Sequence, residues 1–133
     1  MARKPQTRIY KNRWFAKFAS REGLDDATLV AAVVRADRGM VDADLGGGLI
    51  KQRVAREGGG KSGGYRTLVF FRLGERAVFA FGFAKRDKAN LNASELRVYK
   101  QAARIVLALT QAQVDTEVRE GRLFEVNEDA QDL

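Results

Sequence analysis

The sequence predicts a small α+β protein in which an antiparallel sheet packs against an N-terminal helical hairpin and C-terminal helices. Hydrophobic residues make up 45% of the 133 residues, which is enough for one compact core. Strand-like segments occupy the middle of the chain, and segments with helical spacing of apolar residues lie on both sides of them. Because no repeat or linker divides the chain, residues 1–133 are predicted to form a single domain.

The N-terminal third is predicted to contain one short strand and the two helices of the hairpin. Residues 1–8 are expected to be a flexible basic arm, after which Ile9-Tyr10 opens a strand. Apolar residues recur at helical spacing from Trp14 to Arg21, which predicts an amphipathic helix. A second helix is predicted between a capping aspartate, Asp25 or Asp26, and a stop at Gly39.

Three strands are predicted in the middle of the chain. The first runs from Leu49 to Val54 after a glycine turn at residues 46–48. The others run from Tyr65 to Arg72 and from Ala77 to Phe83, and a tight turn joins them. These last two are apolar at nearly every position, which indicates that both faces of the sheet are covered there or that the strands are central.

Two capping boxes predict the C-terminal helices. In Asn92-Ala93-Ser94-Glu95 and Thr110-Gln111-Ala112-Gln113, the first side chain can cap a helix and the fourth can bond back to it. The second helix is expected to end at Gly121, and residues 122–126 are expected to add an edge strand. Residues 110–133 are therefore predicted to form a C-terminal helix and an acidic tail.

The composition excludes several kinds of catalytic site. The chain has no cysteine and no histidine, so disulfides, thiolate or imidazole metal ligands and cysteine nucleophiles are excluded. We therefore expect no metal and no other cofactor. No apolar run approaches the roughly 20 residues of a membrane helix, and no signal-peptide core follows the basic start. These observations predict a cytoplasmic protein without a membrane partner.

Charge is divided into blocks along the chain. Residues 1–21 carry a net charge of +7, residues 22–50 of −4, residues 51–104 of +9 and residues 105–133 of −5. A charge that served only solubility would not need this separation. The blocks therefore favour a polyanion-binding surface, typical of nucleic-acid-binding proteins, on one part of the fold.

Basic side chains cluster on neighbouring elements of the predicted sheet. Lys51 and Arg53 are two apart on one strand, so they project from the same face. Arg66 begins the next strand and Arg86 follows the last one, and antiparallel pairing places such positions side by side. The other candidate binding residues are Arg56, Lys61, Tyr65, Phe83, Lys85 and Lys88.

A cluster of this kind has the chemistry to bind or to cleave RNA. Cleavage requires removal of the 2′-hydroxyl proton, stabilisation of the phosphorane and help for the leaving 5′-oxygen, and closely spaced cations serve these steps. Tyr65 or Phe83 could orient the nucleotides. Phosphate binding without catalysis uses the same residue types, so the residues alone leave both functions open.

One motif suggests a nucleotide-binding phosphate loop but does not satisfy its requirements. Gly60-Lys61-Ser62 lies in a glycine-rich segment, yet the glycine required five positions earlier is Ala55. The loop must also be followed by a helix, whereas Gly64-Tyr65-Arg66 leads into a predicted strand. We interpret the segment as a basic connection between strands.

Leu49–Val54, Gly64-Tyr65-Arg66 and the segment 81–87 together resemble the RelE/ParE toxin superfamily. The resemblance is to RelE-type and HigB-like toxins with the pattern K-x-R-x-A-x-x-G-x-G-K-x-G-G-Y-R, which the chain matches from Lys51 to Arg66. It extends from about Asp42 to Leu107 and leaves the chain after Thr110 unexplained.

The resemblance implies the toxin of a type II toxin–antitoxin system, a ribosome-dependent mRNA endonuclease inhibited by a cognate antitoxin. By position, Lys51 and Arg53 match the basic pair that supplies the base, and Arg66 matches the transition-state arginine. Arg86 matches the arginine that acts on the leaving oxygen. RelE proper has a tyrosine soon afterwards, where Leu91 and Asn92 stand here. That substrate-orienting role is therefore unfilled or taken by another residue; HigB-like relatives also lack this tyrosine.

Two alternatives stay open at this point. A ParE-like toxin poisons gyrase through protein contacts, and a catalytically silent module only binds nucleic acid. Lys51 and Arg53 together with Arg66 favour the nuclease, since gyrase poisoning needs no such cluster. The acidic residues of the C-terminal block could fold over the basic site in place of a phosphate, or form a solvated appendage.

Overall fold

A computed structural model of the chain describes residues 7–55, 64–84 and 91–127. Within them, six strands form one sheet and four helices pack on it. The strands are β1 (Arg8–Asn12), β2 (Ala43–Gly46), β3 (Leu49–Val54), β4 (Tyr65–Arg72), β5 (Arg76–Ala84) and β6 (Leu123–Glu125). The helices are α1 (Arg13–Glu22), α2 (Asp26–Asp37), α3 (Ala93–Ala108) and α4 (Gln111–Arg119).

The sheet has the strand order β2-β3-β4-β5-β1-β6. Neighbouring strands are antiparallel except β1 and β5, which are parallel. The predicted α+β class is confirmed, and the predicted edge strand at the C-terminal end is present as β6. β2 was not predicted, because its four residues include no β-branched or aromatic side chain. A turn at residues 46–48, whose glycines all have positive φ, folds β2 back onto β3.

The hairpin of α1 and α2 covers one face of the sheet, which we call the hairpin face. The Asn12 side chain caps α1, the Asp25 side chain caps α2, and Gly23 ends α1 in the left-handed conformation. Of the two predicted candidates for the cap of α2, Asp25 and Asp26, the structure shows that Asp25 is the cap. The core on this face includes Phe15, Phe18, Leu29, Val33, Ile50, Val54, Tyr65, Val69 and Phe79.

α3 and α4 cover the opposite face, which we call the α3 face, so the sheet is the middle of three layers. Both predicted capping boxes are present, one at each helix. Coverage of both faces explains why β4 and β5 are apolar at nearly every position. No helix in the described ranges is both long and apolar enough to cross a membrane. The core on the α3 face includes Tyr10, Leu49, Leu68, Phe70, Val78, Ala103 and Leu107.

A β-bulge in β5 reverses the side to which its last residues point. The register with β4 shifts by one residue, which leaves Ala80 as the extra residue. Beyond it, Phe81 and Phe83 point to the α3 face and Gly82 points to α1. A Cβ on residue 82 would lie 2.7 Å from an α1 phenylalanine ring, so glycine there permits the close packing of α1.

Candidate nucleic-acid interface

Three of the predicted catalytic residues lie on the α3 face at one end of the sheet. Leu49 of β3 is buried in the core beneath α3, and Lys51 and Arg53 continue the same face of the strand. Arg66 of β4 is the register partner of Arg53, and Leu68 is the partner of Lys51. Arg53 is exposed and the other two basic residues are partly exposed, so the helices leave this end of the face open.

Arg53 and Arg66 stand directly opposite each other on adjacent strands. The Cβ atoms of such a pair lie about 4.5–5.5 Å apart, and Lys51 is the diagonal neighbour of Arg66 at about 7–8 Å. Like charges in this position destabilise a sheet. Among the residues that the structure describes, no carboxylate forms an ion pair with any of the three. Within the described residues the three side chains therefore have no ion-pair partner, which leaves them available to an external anion.

On the side of β3 away from β4, side chains instead of a strand hold the backbone at Arg53. β2 pairs with β3 only as far as Lys51. The N–H and C=O of Arg53, on the same side of β3, therefore have no partner in β2. The Asp42 carboxylate accepts from the Arg53 N–H, and the Arg35 guanidinium donates to the Arg53 carbonyl. These bonds fix the strand at this point and so preorganise the position of the Arg53 side chain.

The Gly64-Tyr65-Arg66 motif positions Arg66 at the start of β4. A Cβ on Gly64 would lie 3.3 Å from the Val54 carbonyl oxygen, closer than an ordinary contact, so glycine permits the close approach of the chain to β3. Tyr65 is buried on the hairpin face, and its hydroxyl donates to Glu22 Oε1 at 2.8 Å. Tyr65 thus anchors the start of the strand from one face, while Arg66 projects from the other.

We expected Tyr65 to contact substrate, and the structure buries its side chain on the hairpin face, away from the face that carries Arg66. Its ring lies edge-on to Phe18 in the hairpin core, with ring centroids 5.7 Å apart. Strand alternation places neighbouring residues on opposite faces, so the choice of Arg66 for the site already implied that Tyr65 points away. We therefore remove Tyr65 from the set of substrate-binding candidates.

Aromatic side chains border the basic residues on the open end of the face. Phe83 is the register partner of Arg66 on β5. Its ring centroid lies 6.2 Å from that of Phe81, which lies 5.8 Å from Tyr99 of α3 and 4.7 Å from Trp14 of α1. The rings of Phe83, Phe81, Tyr99 and Trp14 form an aromatic row, which leads from Arg66 across β5 to α1 and α3.

Trp14, Phe81 and Tyr99 were not among the predicted site residues. Helical spacing placed Trp14 and Tyr99 on the apolar sides of their helices, so both were assigned to the core. Phe81 was missed because no sequence pattern predicts the bulge that turns it toward α3. Burial raises the pKa of Tyr99, with a smaller contribution from the charge of Glu95, so its hydroxyl is protonated near neutral pH. Tyr99 can therefore donate a hydrogen bond at the edge of this site.

Five predicted site residues lie outside the described residues: Arg56, Lys61, Lys85, Arg86 and Lys88. β4 begins at Tyr65, which confirms that a strand and not a helix follows the glycine-rich segment. The requirement of a phosphate loop for a following helix is therefore not met.

Two acidic residues of the C-terminal block, Glu117 and Glu125, form ion pairs. Glu117 pairs with Arg122 at 2.9 Å and Glu125 with Arg8 at 2.9 Å, near the β6 edge of the sheet. Three strands, β4, β5 and β1, lie between β6 and β3 in the strand order. In the part of the chain that the structure describes, these acids do not cover the basic residues, and no three metal-ligating side chains come together.

A second pair of opposed arginines lies at the other end of the α3 face. Arg72 and Arg76 are register partners on β4 and β5. Arg76 Nη1 donates to the carbonyls of Val106 and Leu109 at 2.9 Å each, and Arg72 Nη1 donates to that of Leu107 at 2.8 Å. These carbonyls end α3, where the helix dipole is negative, so this pair has an internal partner.

Comparison of the chain with family models gives a match over most of its length. The model of the RelE toxin of the RelE/RelB toxin–antitoxin system matches residues 7–126. The chain belongs to the RelE toxin family. It is thus a toxin of a toxin–antitoxin system, and membership implies an antitoxin partner. No curated protein gives a match to this RelE-family toxin.

The family match corrects one feature of the sequence analysis. The resemblance found in the sequence ended near Leu107, whereas the match continues through α4 and β6. These elements complete the sheet edge next to β1 and the cover of the α3 face. The segment that the resemblance left unexplained is therefore part of the RelE domain as far as residue 126.

Proposed function

We propose that this RelE-family toxin is an endoribonuclease that cleaves messenger RNA on the ribosome with a metal-free lysine–arginine site. The observation that supports the proposal most strongly is the opposition of Arg53 and Arg66 on an uncovered end of the sheet, without an ion-pair partner among the described residues. A backbone phosphate supplies the missing negative charge and presents oxygens to both guanidinium groups.

The proposed reaction needs only groups that cluster here. The 2′-oxygen attacks the adjacent phosphorus, its proton passes to a base, and the bond to the 5′-oxygen breaks. The family resemblance assigns the base to the pair Lys51 and Arg53, and the lysine amine is the better candidate because a guanidinium keeps its proton in proteins. Arg66 donates to the non-bridging oxygens, where negative charge grows in the phosphorane. The leaving 5′-oxygen takes up a proton, and the family resemblance assigns the donation of that proton to Arg86. The products are a 2′,3′-cyclic phosphate and a 5′-hydroxyl, so the atoms balance.

The burial of Tyr65 supports dependence on the ribosome, because it removes one predicted residue that would orient a nucleotide at this surface. With Tyr65 in the hairpin core, Phe83 is the predicted aromatic residue that remains beside Arg66. In-line attack requires a fixed angle between nucleophile, phosphorus and leaving group. We propose that the ribosome holds the message in that geometry and that the antitoxin inhibits the toxin by covering the basic surface.

Arg66→Ala tests the proposal in a cleavage assay. Ribosomes programmed with a defined message are incubated with the purified toxin, and the new RNA ends are mapped and their termini identified. Loss of one charge-stabilising donor should slow cleavage by about 10²- to 10³-fold. Arg38→Ala, which removes an exposed arginine after α2, is the matched control and should cleave at the wild-type rate.

Three results would contradict the proposal. The first is an Arg66→Ala variant that cleaves as fast as the wild type. The second is a wild-type toxin that arrests growth with intact messages and broken DNA, which would identify the ParE-like alternative. The third is RNA binding without any cut, which would identify a silent binding module.

A further inference from the structure

The outward face of α1 combines an exposed tryptophan with basic residues at helical spacing. Trp14, Lys17 and Arg21 follow one another at intervals of three and four residues, so they share one side of the helix. Trp14 is 43% exposed, although it is one of the largest apolar side chains of the protein. At 1.5 Å per residue the three side chains extend over about 10 Å. Aromatic faces interleaved with cations are the features that bind single-stranded nucleic acids.

This face of α1 adjoins the open end of the α3 face because β1 is shorter than β5. The pairing of β1 with β5 ends at Lys11 and Phe79, after which the chain turns into α1. Among the described residues, this edge of β5 has no strand partner from residue 80 onward, and the Asn12 side chain donates to the Ala80 carbonyl there. Trp14 lies across this free edge, stacked on Phe81 at 4.7 Å and on Phe18 of its own helix at 5.3 Å. The aromatic row from Arg66 thus ends on α1.

The C-terminal end of α1 lies at the same end of the sheet. Glu22 accepts the hydroxyl hydrogen of Tyr65, the residue directly before Arg66. Arg21 is next to Glu22, contacts its carboxylate at 3.5 Å, and has a side chain that is 66% exposed. Lys17, which is also exposed, has no ionic partner among the residues described by the structure. Arg21 and Lys17 are therefore exposed cations on α1, and Arg21 lies near the end of β4 that carries Arg66.

We propose that Trp14, Lys17 and Arg21 form a second RNA-binding surface, which holds single-stranded RNA beside the strand at Arg53 and Arg66. Lys17 and Arg21 bind backbone phosphates, and the exposed part of Trp14 stacks on a base. The inference rests on the proposed function, because it extends the same bound RNA. The RNA can be the message next to the cut or ribosomal RNA, since both offer phosphates and unpaired bases.

The test measures RNA binding by the double variant Lys17→Ala/Arg21→Ala. Both side chains are exposed, so the variant should fold as the wild type does. Affinity for a fluorescent single-stranded oligouridylate is measured by anisotropy over a range of salt concentrations. Loss of two phosphate contacts should weaken binding and make the slope of log K against log salt less steep by about 1.4. The matched control, Arg38→Ala/Arg119→Ala, also removes two exposed arginines and should keep the wild-type slope.

A second arm separates the two sources of RNA. Weaker binding to the free oligouridylate assigns the surface to the message, whereas weaker binding only to ribosomes without a message assigns it to ribosomal RNA. Trp14→Leu tests the stacking contact in both arms. Loss of stacking on one base, about 1–3 kcal/mol, should weaken binding by about 5- to 150-fold in the affected arm. Thermal unfolding of Trp14→Leu checks that the rings beneath it stay packed.

Unchanged affinity and salt slope of Lys17→Ala/Arg21→Ala in both arms would overturn the inference. Failure of the proposed function gives a different result. In that case neither the wild type nor any variant cleaves RNA. The binding measurements still show whether the α1 residues contribute to RNA affinity. The two outcomes are therefore distinguishable.

Discussion

The two ends of the α3 face carry the same pair of residues in the same arrangement but with different partners. At one end, Arg72 and Arg76 face each other across β4 and β5 and donate to the carbonyls that end α3. At the other, Arg53 and Arg66 face each other across β3 and β4, and no described residue supplies an acceptor of this kind to their side chains. Carbonyl acceptors make opposed arginines tolerable in a sheet because they bind the guanidinium N–H groups. The pair that has such acceptors is structural, and we propose that the pair without them among the described residues binds an external anion.

The largest expected difference between the two ends is in stability. Arg76→Ala should lower the free energy of unfolding by about 2–4 kcal/mol, because two carbonyls at the end of α3 lose a charged donor in a buried position. Arg66→Ala should change it by about 0.5 kcal/mol or less, or raise it, because a like-charge contact is relieved. Denaturant unfolding measures both. Equal losses at the two ends would remove the distinction between them.

A polyphosphate should stabilise the protein by binding at the open end of the α3 face and not at the Arg72–Arg76 end. Tripolyphosphate at 100 times its dissociation constant should raise the free energy of unfolding by about 2.7 kcal/mol through linkage. The increase should be much smaller in Arg53→Ala/Arg66→Ala and unchanged in Arg72→Ala. Thermal unfolding with and without the ligand measures this. Equal stabilisation of all three proteins would place the polyanion elsewhere on the surface.

Tyr65→Phe separates the two faces at the open end. Loss of the hydroxyl removes the hydrogen bond to Glu22 and should lower the free energy of unfolding by about 1–2 kcal/mol. RNA cleavage measured below the unfolding temperature should stay within about twofold of the wild type, because Tyr65 points away from Arg66. A loss of cleavage as large as that of Arg66→Ala would return Tyr65 to the site.

The smallest effect concerns the cap of α2 on the hairpin face. The hydroxyl and backbone N–H of Thr28 donate to Asp25 and lower the pKa of its carboxyl group. A depressed pKa stabilises the folded state above the pKa of the unfolded chain, and this contribution is lost as the pH falls through the folded value, below about pH 4. Asp25→Ala should cost about 1 kcal/mol at neutral pH and show a weaker loss of stability in acid, with RNA binding unchanged.

Much of the fold could be predicted because its signals are local. The capping boxes at Asn92 and Thr110, the left-handed stop at Gly23 and the bounds of β3 and β4 each depend on a few neighbouring residues. The grouping of Lys51, Arg53 and Arg66 on one face also followed from strand alternation and antiparallel pairing. Local rules fixed these features without knowledge of the tertiary structure.

The missed features depend on long-range contacts. The bulge at Ala80 shifts β5 by one residue and brings Phe81 and Phe83 to the α3 face, and nothing in the sequence around it requires this shift. The free edge of β5 arises because β1, from the start of the chain, pairs in parallel with only part of it. The exposed position of Trp14 follows from that edge, so helical spacing alone assigned it to the core.

The most direct test of the central claim is a double-mutant cycle between Arg53 and Arg66. Binding of a short, fully 2′-O-methylated RNA, which cannot react, is measured for the wild type, Arg53→Ala, Arg66→Ala and the double variant. If both arginines hold one phosphate, their losses should be coupled by more than about 1 kcal/mol. Losses that add to within about 0.3–0.5 kcal/mol would show that the two side chains act at separate places, and would contradict the account.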